Sequence, residues 1–359
     1  SRSSAASDVY KRQVLRQVWK RSNELGFYGM TLPEKMGGQG FSILDQVLIK
    51  EFIYSSGTTF APHILGELSG PPRIGALVRF ATPIQMERFI LPVAKAEKSI
   101  CFAITEPEAG SDAGAVQTKA MRDGDFFILN GKKRYISGSP FCDFAVVIAS
   151  TSDSADKRET TAFFVERNRP GFSIEEGYKT MAGQSSTANI ILENCKIPQE
   201  NQIGELGRGL ALAVGRIAVN RLLHCPAMLG LARQALNDSL QHAGRRRQFG
   251  RAIGEFQAIQ HMIADMATEL EAARALMISI ANRLDKGLDA RAQTSMAKLF
   301  CSETAFRIAD RAVQIHGGDG IIQGSRVEFL FRMLRMYRIL TGTSEIQRNT
   351  IYKEMVLPA

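Results

Sequence analysis

The spacing of apolar residues divides the chain into a helical, a strand-rich and a second helical region. Residues 14–98 follow a helical pattern with short Gly and Pro breaks. The apolar period becomes two over 99–205, as in strands, and the pattern is helical again over 206–359. We therefore expect an α+β protein with three domains over these ranges.

Within the strand-rich region, Asn130-Gly131 is a strong signal for a hairpin turn. Further strands are predicted at three apolar runs bounded by polar turns, namely 144–149, 161–166 and 188–193. In the last region, apolar residues alternate spacings of three and four, which places them on one helix face, the seam of a helix bundle. This stripe consists of Phe256, Ile259, Ile263, Met266, Leu270, Ala273, Met277, Ile280 and Leu284.

Composition places the chain among ordinary globular proteins and excludes several classes. It has 359 residues, of which 45% are hydrophobic and 23% charged, and no apolar run is long enough to predict a membrane span. The net charge of +9 fits an enzyme that handles polyanions. We expect no nucleic-acid binding, since no basic stripe with interleaved aromatic residues is present.

The cysteines and histidines indicate neither disulfides nor a metal site. The five cysteines are scattered without a Cys-x-x-Cys pair, which favours a reducing compartment, and we expect a cytoplasmic protein. The five histidines show no metal-ligand spacing, so no bound metal is expected. Residues 1–13 lack an initiator Met and an apolar segment, so we expect a non-native or disordered tail rather than a signal peptide.

Three polar segments carry groups suited to an anionic dinucleotide. Residues 102–112, Phe-Ala-Ile-Thr-Glu-Pro-Glu-Ala-Gly-Ser-Asp, supply backbone N–H groups and the hydroxyls of Thr105 and Ser111. Arg246, in Arg-Arg-Gln-Phe-Gly, offers a guanidinium fork that matches a pyrophosphate. The adjacent glycines of Gln-Ile-His-Gly-Gly-Asp-Gly, residues 314–320, let a phosphate or ribose approach the backbone closely.

Together with Leu25–Gly40, Lys133–Ser137 and Thr341–Arg348, these segments resemble the acyl-CoA dehydrogenase family over Val14 to Leu357. The resemblance implies an N-terminal helical domain, a middle β-barrel and a C-terminal four-helix bundle. It also implies an FAD-dependent enzyme that oxidises an acyl-CoA thioester at Cα–Cβ and passes electrons to an electron-transfer flavoprotein. A homotetramer or heterotetramer is expected, because the Arg-x-x-Phe-Gly turn serves the FAD of the neighbouring subunit in this family.

The resemblance also assigns roles to individual residues. Tyr135 would cover one face of the flavin ring and Ser137 would hydrogen-bond the ring edge. The implied FAD-binding residues are Phe102, Ile104, Thr105, Gly110, Ser111, Tyr135, Ser137, Arg246, Gln248, Phe249, Phe256, Gln257, Gln314, Gly317, Gly318, Thr343 and Glu345. The implied substrate-binding residues are Ser111, Asn220, Arg221, Thr341 and Gly342.

The sequence departs from the family at the residue that abstracts the α proton. Where relatives commonly read Tyr-Glu-Gly-Thr-Ser-Glu, this chain reads Leu340-Thr341-Gly342, so Thr341 stands at the position of the catalytic carboxylate. The alternative position used by some relatives, one residue before Arg221, holds Asn220. A positioned general base contributes about 10²–10⁴-fold to rate, and neither of these neutral side chains supplies it.

Three hypotheses account for the missing carboxylate. In the first, His224 is the base, because it lies one helical turn after Asn220 and titrates in a useful range. In the second, the substrate is already acidic or activated, or the reaction runs as a reduction or other CoA-thioester chemistry. In the third, the chain is the base-lacking subunit of a heteromeric dehydrogenase.

Overall fold

The computed structural model describes residues 2–75, 77–152, 159–183 and 185–356. Its helices are α1 (Arg2–Glu24), α2 (Ile43–Ser55), α3 (Ala61–Ile64), α4 (Pro83–Gln85), α5 (Leu91–Ala94), α6 (Gly209–Arg245), α7 (Gln257–Asp285), α8 (Arg291–His316), α9 (Gly318–Ile321), α10 (Arg326–Tyr337) and α11 (Ser344–Val356). Its strands are β1 (Ile100–Ala103), β2 (Lys119–Asp123), β3 (Phe126–Ser137), β4 (Phe144–Ser150), β5 (Thr160–Glu166), β6 (Phe172–Ile174), β7 (Thr187–Pro198), β8 (Gln202–Ile203), β9 (Arg247–Gln248) and β10 (Arg251–Ala252). The order of helices, sheet and helices confirms the expected fold class.

Helix α1 begins at Arg2, where the sequence analysis expected a non-native or disordered tail. The chain has no Gly or Pro before Gly26, so nothing in residues 2–13 interrupts the helix. The helix ends where Gly26 takes a left-handed conformation with φ of +83°.

The chain forms two compact units that cut across the three regions expected from sequence. The first comprises Ser1–Phe41 and Phe60–Arg216, and the second comprises Ser42–Thr59 and Ile217–Ala359. Helix α2 thus belongs with the C-terminal helices rather than with the N-terminal region.

Buried charges and a close approach fix α2 within the second unit. The carboxylate of Glu51, 5% exposed, accepts a hydrogen bond of 2.9 Å from Arg274 Nε on α7. Lys50 Nζ donates to the carbonyl oxygen of Leu223 on α6 at 2.6 Å. At Gly230 of α6, an added Cβ would lie 2.7 Å from the backbone oxygen of Glu51 and from Tyr54 Cβ, so only glycine permits this packing.

The first unit contains an eight-stranded sheet in the order β6-β7-β3-β2-β4-β5-β8, with β1 paired in parallel to β4. This sheet stands where a β-barrel was expected. Alternate residues of β4 face opposite sides: Val147 packs in one apolar cluster and Phe144 and Val146 in another. The second cluster includes Phe89 from the helical segment, whose ring stacks on Phe164 at 4.3 Å between centroids.

The predicted turn at Asn130-Gly131 is wrong, because both residues lie inside β3. Strand β3 pairs with β7 along its whole length, and a shift in register between Leu129 and Gly131 absorbs the irregularity. Gly131 has φ of +153°, and an added Cβ would lie 2.5 Å from Thr118 Oγ1. The actual hairpin turn lies at Gly124, between β2 and β3.

In the second unit, α8 packs against α7, α10 and α11. The predicted apolar stripe of α7 is buried from Met266 to Ile280, whereas Ile259 and Ile263 in its first two turns are only half-buried. Within the described residues, no helix combines the length and apolarity that crossing a bilayer requires. No group of three or more His, Cys, Asp or Glu side chains in that part of the chain is placed to hold a metal ion. All five cysteines are buried and free.

Candidate functional site

A buried ion pair fixes the loop that follows β1. Lys133 Nζ lies 2.6 Å from Glu106 Oε1 and donates to the carbonyl oxygen of Ile104 at 3.2 Å. The carboxylate of Glu106 also accepts hydrogen bonds from the backbone N–H groups of Gln117 at 2.6 Å and Thr118 at 3.0 Å. These contacts tie both ends of the loop to β3.

The electrostatics keep this pair charged although it is buried. Burial on its own raises the pKa of Glu106, but the attraction of Lys133 and the hydrogen bonds outweigh it and leave the pKa below its ordinary value. Burial lowers the pKa of Lys133 to about 8, against the opposing effect of Glu106. This pair was not predicted from the sequence, although Lys133 lies in the same alternating register of β3 as the inward-facing Phe127 and Leu129.

A bulge in β3 presents Tyr135 beside this loop. The register with β7 shifts between Lys133 and Ile136, and Tyr135 takes a left-handed conformation with φ of +58°. Its ring is 51% exposed and lies 5.1 Å from the ring of Tyr178. The N–H of Arg134 donates to the carbonyl oxygen of Thr105 at 2.7 Å. The bulge therefore joins two predicted flavin contacts and leaves Tyr135 exposed, with the guanidinium carbon of Arg134 4.6 Å from the centroid of its ring.

The turn after Ser137 is shaped by one glycine. Ser137 is half-buried, and Gly138 has φ of +82°. An added Cβ on Gly138 would lie 2.1 Å from the carbonyl oxygen of Leu68. Segment 65–70 is therefore packed directly against the turn that carries Ser137.

Backbone at the predicted cofactor glycines is open. Gly110 and Ser111 are exposed, and an added Cβ on Gly110 would meet no described atom within 4 Å. The same holds in the second unit for Gly317 and Gly318, whereas a Cβ on Gly320 would lie 2.4 Å from Val313 O. Open space at the predicted positions, and tight packing at the neighbouring one, fits the approach of a dinucleotide to the backbone.

The Arg-x-x-Phe-Gly segment forms a small hairpin of β9 and β10 at the end of α6. Its predicted cofactor residues are exposed or half-buried: Arg246, Gln248, Phe249, Phe256 and Gln257. Phe249 has φ of +49° and is 93% exposed. The guanidinium of Arg251 lies 4.0 Å from the centroid of the Phe256 ring. A large aromatic side chain held in the open is typical of a surface that another molecule covers.

Two side chains hold the turn of Thr341 and Gly342, where the family carries its catalytic carboxylate. Thr341 and Gly342 have φ of +58° and +91°. The carbonyl oxygen of Gly342 accepts hydrogen bonds from Lys298 Nζ at 2.8 Å and Gln347 Nε2 at 3.0 Å. A left-handed conformation is costly for a β-branched residue, so these contacts, rather than Thr341 itself, hold the turn.

Glu303 anchors the following residues. Its Oε1 accepts hydrogen bonds from Ser344 Oγ at 2.6 Å and Arg338 Nε at 2.9 Å. Burial raises the pKa of Glu303, but these two donors lower it below the ordinary value. Glu345 is exposed in the first turn of α11, which Thr343 caps by accepting from the N–H of Ile346 at 3.3 Å.

The remaining predicted residues lie on two helices and a strand. On α6, Arg221 is buried and its Nη1 donates to Ser295 Oγ at 2.7 Å. Asn220 and His224 are half-buried one turn apart, while Phe102 of β1 is half-buried and Gln314 near the end of α8 is exposed. The first unit thus brings Thr105 and Tyr135 together, and the second gathers Arg221, Lys298 and the 341–342 turn.

Three models of the acyl-CoA dehydrogenase family match the chain in order: the N-terminal domain over residues 3–97, the middle domain over 101–195 and the C-terminal domain over 207–356. Subunit CarC of the caffeyl-CoA reductase–Etf complex of Acetobacterium woodii is 38% identical, over 93% of this chain and 88% of its own. The 3-(aryl)acrylate reductase of Clostridium sporogenes is 36% identical, over 95% and 90%. The solved butyryl-CoA dehydrogenase of Megasphaera elsdenii superposes with a TM-score of 0.85 at 28% identity, covering 96% of this chain and 98% of its own.

The chain belongs to the acyl-CoA dehydrogenase family, as its motifs predicted. It is an FAD-dependent oxidoreductase that acts on CH–CH groups. The exposed aromatic rings, the open glycines and the guanidinium of Arg246 fit such a cofactor.

Proposed function

We propose that this chain interconverts a CoA thioester and its α,β-unsaturated form, and that it works chiefly as a reductase of the unsaturated thioester. The observation that carries the proposal is Thr341, a neutral side chain at the turn where the family carries its proton-abstracting carboxylate. Asn220 at the alternative position is neutral too. FAD supplies the hydride exchange at Cβ when bound, and the residues of the chain determine what happens to the proton at Cα.

The missing carboxylate slows proton exchange at Cα in both directions, because oxidation and reduction share one transition state. The loss of about 10²–10⁴-fold in rate therefore applies equally to the two directions. Such an enzyme turns over usefully in the direction that its redox partner drives. We infer that a strong electron donor drives this one towards reduction, in which Cα takes its proton from water.

The turn itself can still polarise the substrate. Lys298 and Gln347 hold the carbonyl of Gly342, and Gln347 Nε2 also donates to the carbonyl oxygen of Thr341 at 3.3 Å, so the peptide groups on both sides of Gly342 are fixed. We propose that the N–H of Thr341 donates to the thioester carbonyl oxygen, a contact that does not depend on the side chain. This interaction stabilises the enolate that forms in either direction.

For the cofactor, we propose one FAD per subunit with contributions from two chains. The 102–111 loop, Tyr135 and Ser137 of one chain would hold the flavin end. Arg246, Gln314 and Gly318 of a neighbouring chain would hold the dinucleotide end. The exposed Phe249 supports this proposal, since a second chain would cover it. The assembly would be a homotetramer, or a heterotetramer with a base-bearing subunit.

The relatives support the reductive direction and suggest the electron donor. Two of them are named as reductases of unsaturated compounds, a caffeyl-CoA and 3-(aryl)acrylates. The first is a subunit of a complex with an electron-transfer flavoprotein. We therefore propose an electron-transfer flavoprotein as the redox partner and an aryl-substituted or short unsaturated thioester as the substrate class.

Oxidation of a saturated acyl-CoA is the second candidate. The fold match to a butyryl-CoA dehydrogenase favours it, as does the intact Gly-Thr-Ser-Glu segment after Thr341. In that case His224 is the candidate base.

The experiment that separates the two is an anaerobic flavin titration. Photoreduced enzyme is mixed with a panel of enoyl-CoAs that includes aryl acrylyl thioesters, and oxidised enzyme with the matching saturated thioesters. The proposal expects rapid return of the flavin colour with at least one unsaturated thioester and slow bleaching with its saturated partner. Rapid bleaching by a saturated acyl-CoA, with no reoxidation by any enoyl-CoA, would support oxidation instead.

A further inference from the structure

Lys298, which holds the 341–342 turn, and its electrostatic neighbour Arg221 are buried cations whose hydrogen-bond partners among the described residues are neutral. The side chain of Lys298 is fully buried, and its Nζ donates to the carbonyl oxygen of Gly342 at 2.8 Å. Arg221 is 9% exposed, and its Nη1 donates to the hydroxyl of Ser295 at 2.7 Å. Arg221 Nε is buried and has no hydrogen-bond partner among the residues that the structure describes.

The carboxylates of this region are already engaged elsewhere. Glu303 accepts from Arg338 and Ser344, and Glu354 pairs with Arg291 at 3.1 Å. The side chain of Glu345 is 77% exposed and lies 3.9 Å from Arg348. Within the part of the chain that the structure describes, neither buried cation is therefore hydrogen-bonded to a carboxylate.

The pKa values of both cations are lowered. Burial, together with the charge of Arg221, lowers the pKa of Lys298 to about 8, against the opposing effects of Cys225, Glu303 and Glu345. Burial also lowers the pKa of Arg221, and the charge of Arg291 acts in the same direction, against the opposing effect of Glu354. A buried cation without a counter-charge is costly, and an orphaned guanidinium N–H adds the cost of an unmade hydrogen bond. Both costs fall when an anion enters.

We propose that Arg221 and Lys298 form an anion site beside Thr341 that takes a carboxylate from outside the chain, either a small carboxylate ion or a carboxylate on the substrate. A planar carboxylate matches the guanidinium fork, of which Nε is unused. Thr341 precedes the residue whose carbonyl Lys298 holds, and its side chain brings no charge of its own. A carboxylate held there is also a base: the α proton passes from Cα to a carboxylate oxygen. The role of the site in turnover rests on the proposed function, whereas the binding of the anion does not.

The test is a double-mutant cycle read by thermal unfolding of the holoenzyme. Thr341→Glu places a carboxylate within the chain, and Thr341→Gln is its matched control, since both relieve the β-branch at the left-handed position equally. We expect Thr341→Glu to have the higher Tm, and the difference between the two to disappear in an Arg221→Gln background. Equal Tm values for Glu and Gln at 341 in the otherwise wild-type chain would overturn the proposal.

The second arm uses sodium formate, with sodium chloride to hold ionic strength constant. Wild-type Tm should rise saturably with formate and that of Thr341→Glu should not, a comparison that holds even if Arg221→Gln does not fold. The site is contradicted if formate leaves the wild-type Tm unchanged and glutaryl-CoA binds no more tightly than pentanoyl-CoA, whose acyl chain carries no charge. If only formate has an effect, the site takes small carboxylate ions. If glutaryl-CoA binds more tightly and Arg221→Gln abolishes the difference, the site takes a carboxylate of the substrate. Because unfolding needs no turnover, failure here is distinct from failure of the flavin titration.

Discussion

We expect the buried pair of Lys133 and Glu106 to hold in place the loop that follows β1, which we propose contacts the flavin. The variant Lys133→Met tests this. Lys133 is fully buried and Glu106 is 5% exposed, so removal of the ammonium leaves a buried carboxylate with only its hydrogen bonds from Gln117 and Thr118. Breaking a buried pair from one side costs about 3–5 kcal/mol. We expect a loss of that size in the free energy of unfolding, together with weaker FAD binding, because the loop loses its anchor at Ile104.

The neighbouring lysine provides a matched control. Lys132 pairs with Glu175 at 2.7 Å, but both side chains are 42% exposed. Lys132→Met should therefore cost much less stability than Lys133→Met and leave FAD binding unchanged.

Denaturant unfolding and FAD fluorescence quenching measure both quantities for the two variants. The double variant Lys133→Met/Glu106→Gln should lose less stability than the sum of its single changes, because the second change removes a charge already left unpaired. Additive losses, or a Lys133→Met variant as stable as Lys132→Met, would refute the role assigned to the pair.

Three further predictions concern the cofactor, the rival base and acid stability. Arg246→Ala should lose FAD and weaken the oligomer together in gel filtration, unlike Arg245→Ala, and full FAD occupancy in a stable monomer would contradict the shared site. If His224 is the base, His224→Ala abolishes oxidation of saturated thioesters and removes a pH dependence near the histidine pKa; an unchanged profile excludes it. Burial lowers the pKa of His63 to about 4, below its unfolded value of about 6.5. Between these two values the folded state binds fewer protons than the unfolded state. The free energy of unfolding therefore falls as the pH drops through this window, by at most roughly 3 kcal/mol. His63→Gln should flatten that slope in denaturant midpoints measured at pH 7 and 5, and an unchanged slope would contradict this assignment.

Local periodicity was a good guide to the elements and a poor guide to their partners. The stripe on α7 follows the apolar pattern because the helix buries that face, and the apolar runs of β4 and β5 form strands that are buried on both faces. Asn130-Gly131 did not turn the chain, since pairing of β3 with β7 on both sides of it outweighs the local preference. The place of α2 in the second unit depends on contacts such as Glu51 with Arg274, which lie 223 residues apart and leave no mark in local sequence.

The candidate site shows the same division. Sequence motifs located the loops and the glycines, because backbone conformation and exposure require particular residues there. The motifs did not reveal the buried side chains that anchor those loops. In the sequence, Lys298 is not distinguished from any other lysine in a helix. Its burial and the 2.8 Å contact with the Gly342 carbonyl oxygen show that it holds the 341–342 turn.

The central claim is that Thr341 leaves this flavoenzyme without its own proton-abstracting group. Anaerobic stopped-flow measurement of flavin bleaching by a saturated acyl-CoA, with wild type, Thr341→Glu and Thr341→Gln side by side, tests it most directly. The account predicts slow bleaching in the wild type and in Thr341→Gln, and an acceleration of one to a few orders of magnitude in Thr341→Glu, within the roughly 10²–10⁴-fold that a positioned base contributes. Fast bleaching in the wild type, unchanged by Thr341→Glu and by His224→Ala, would contradict it.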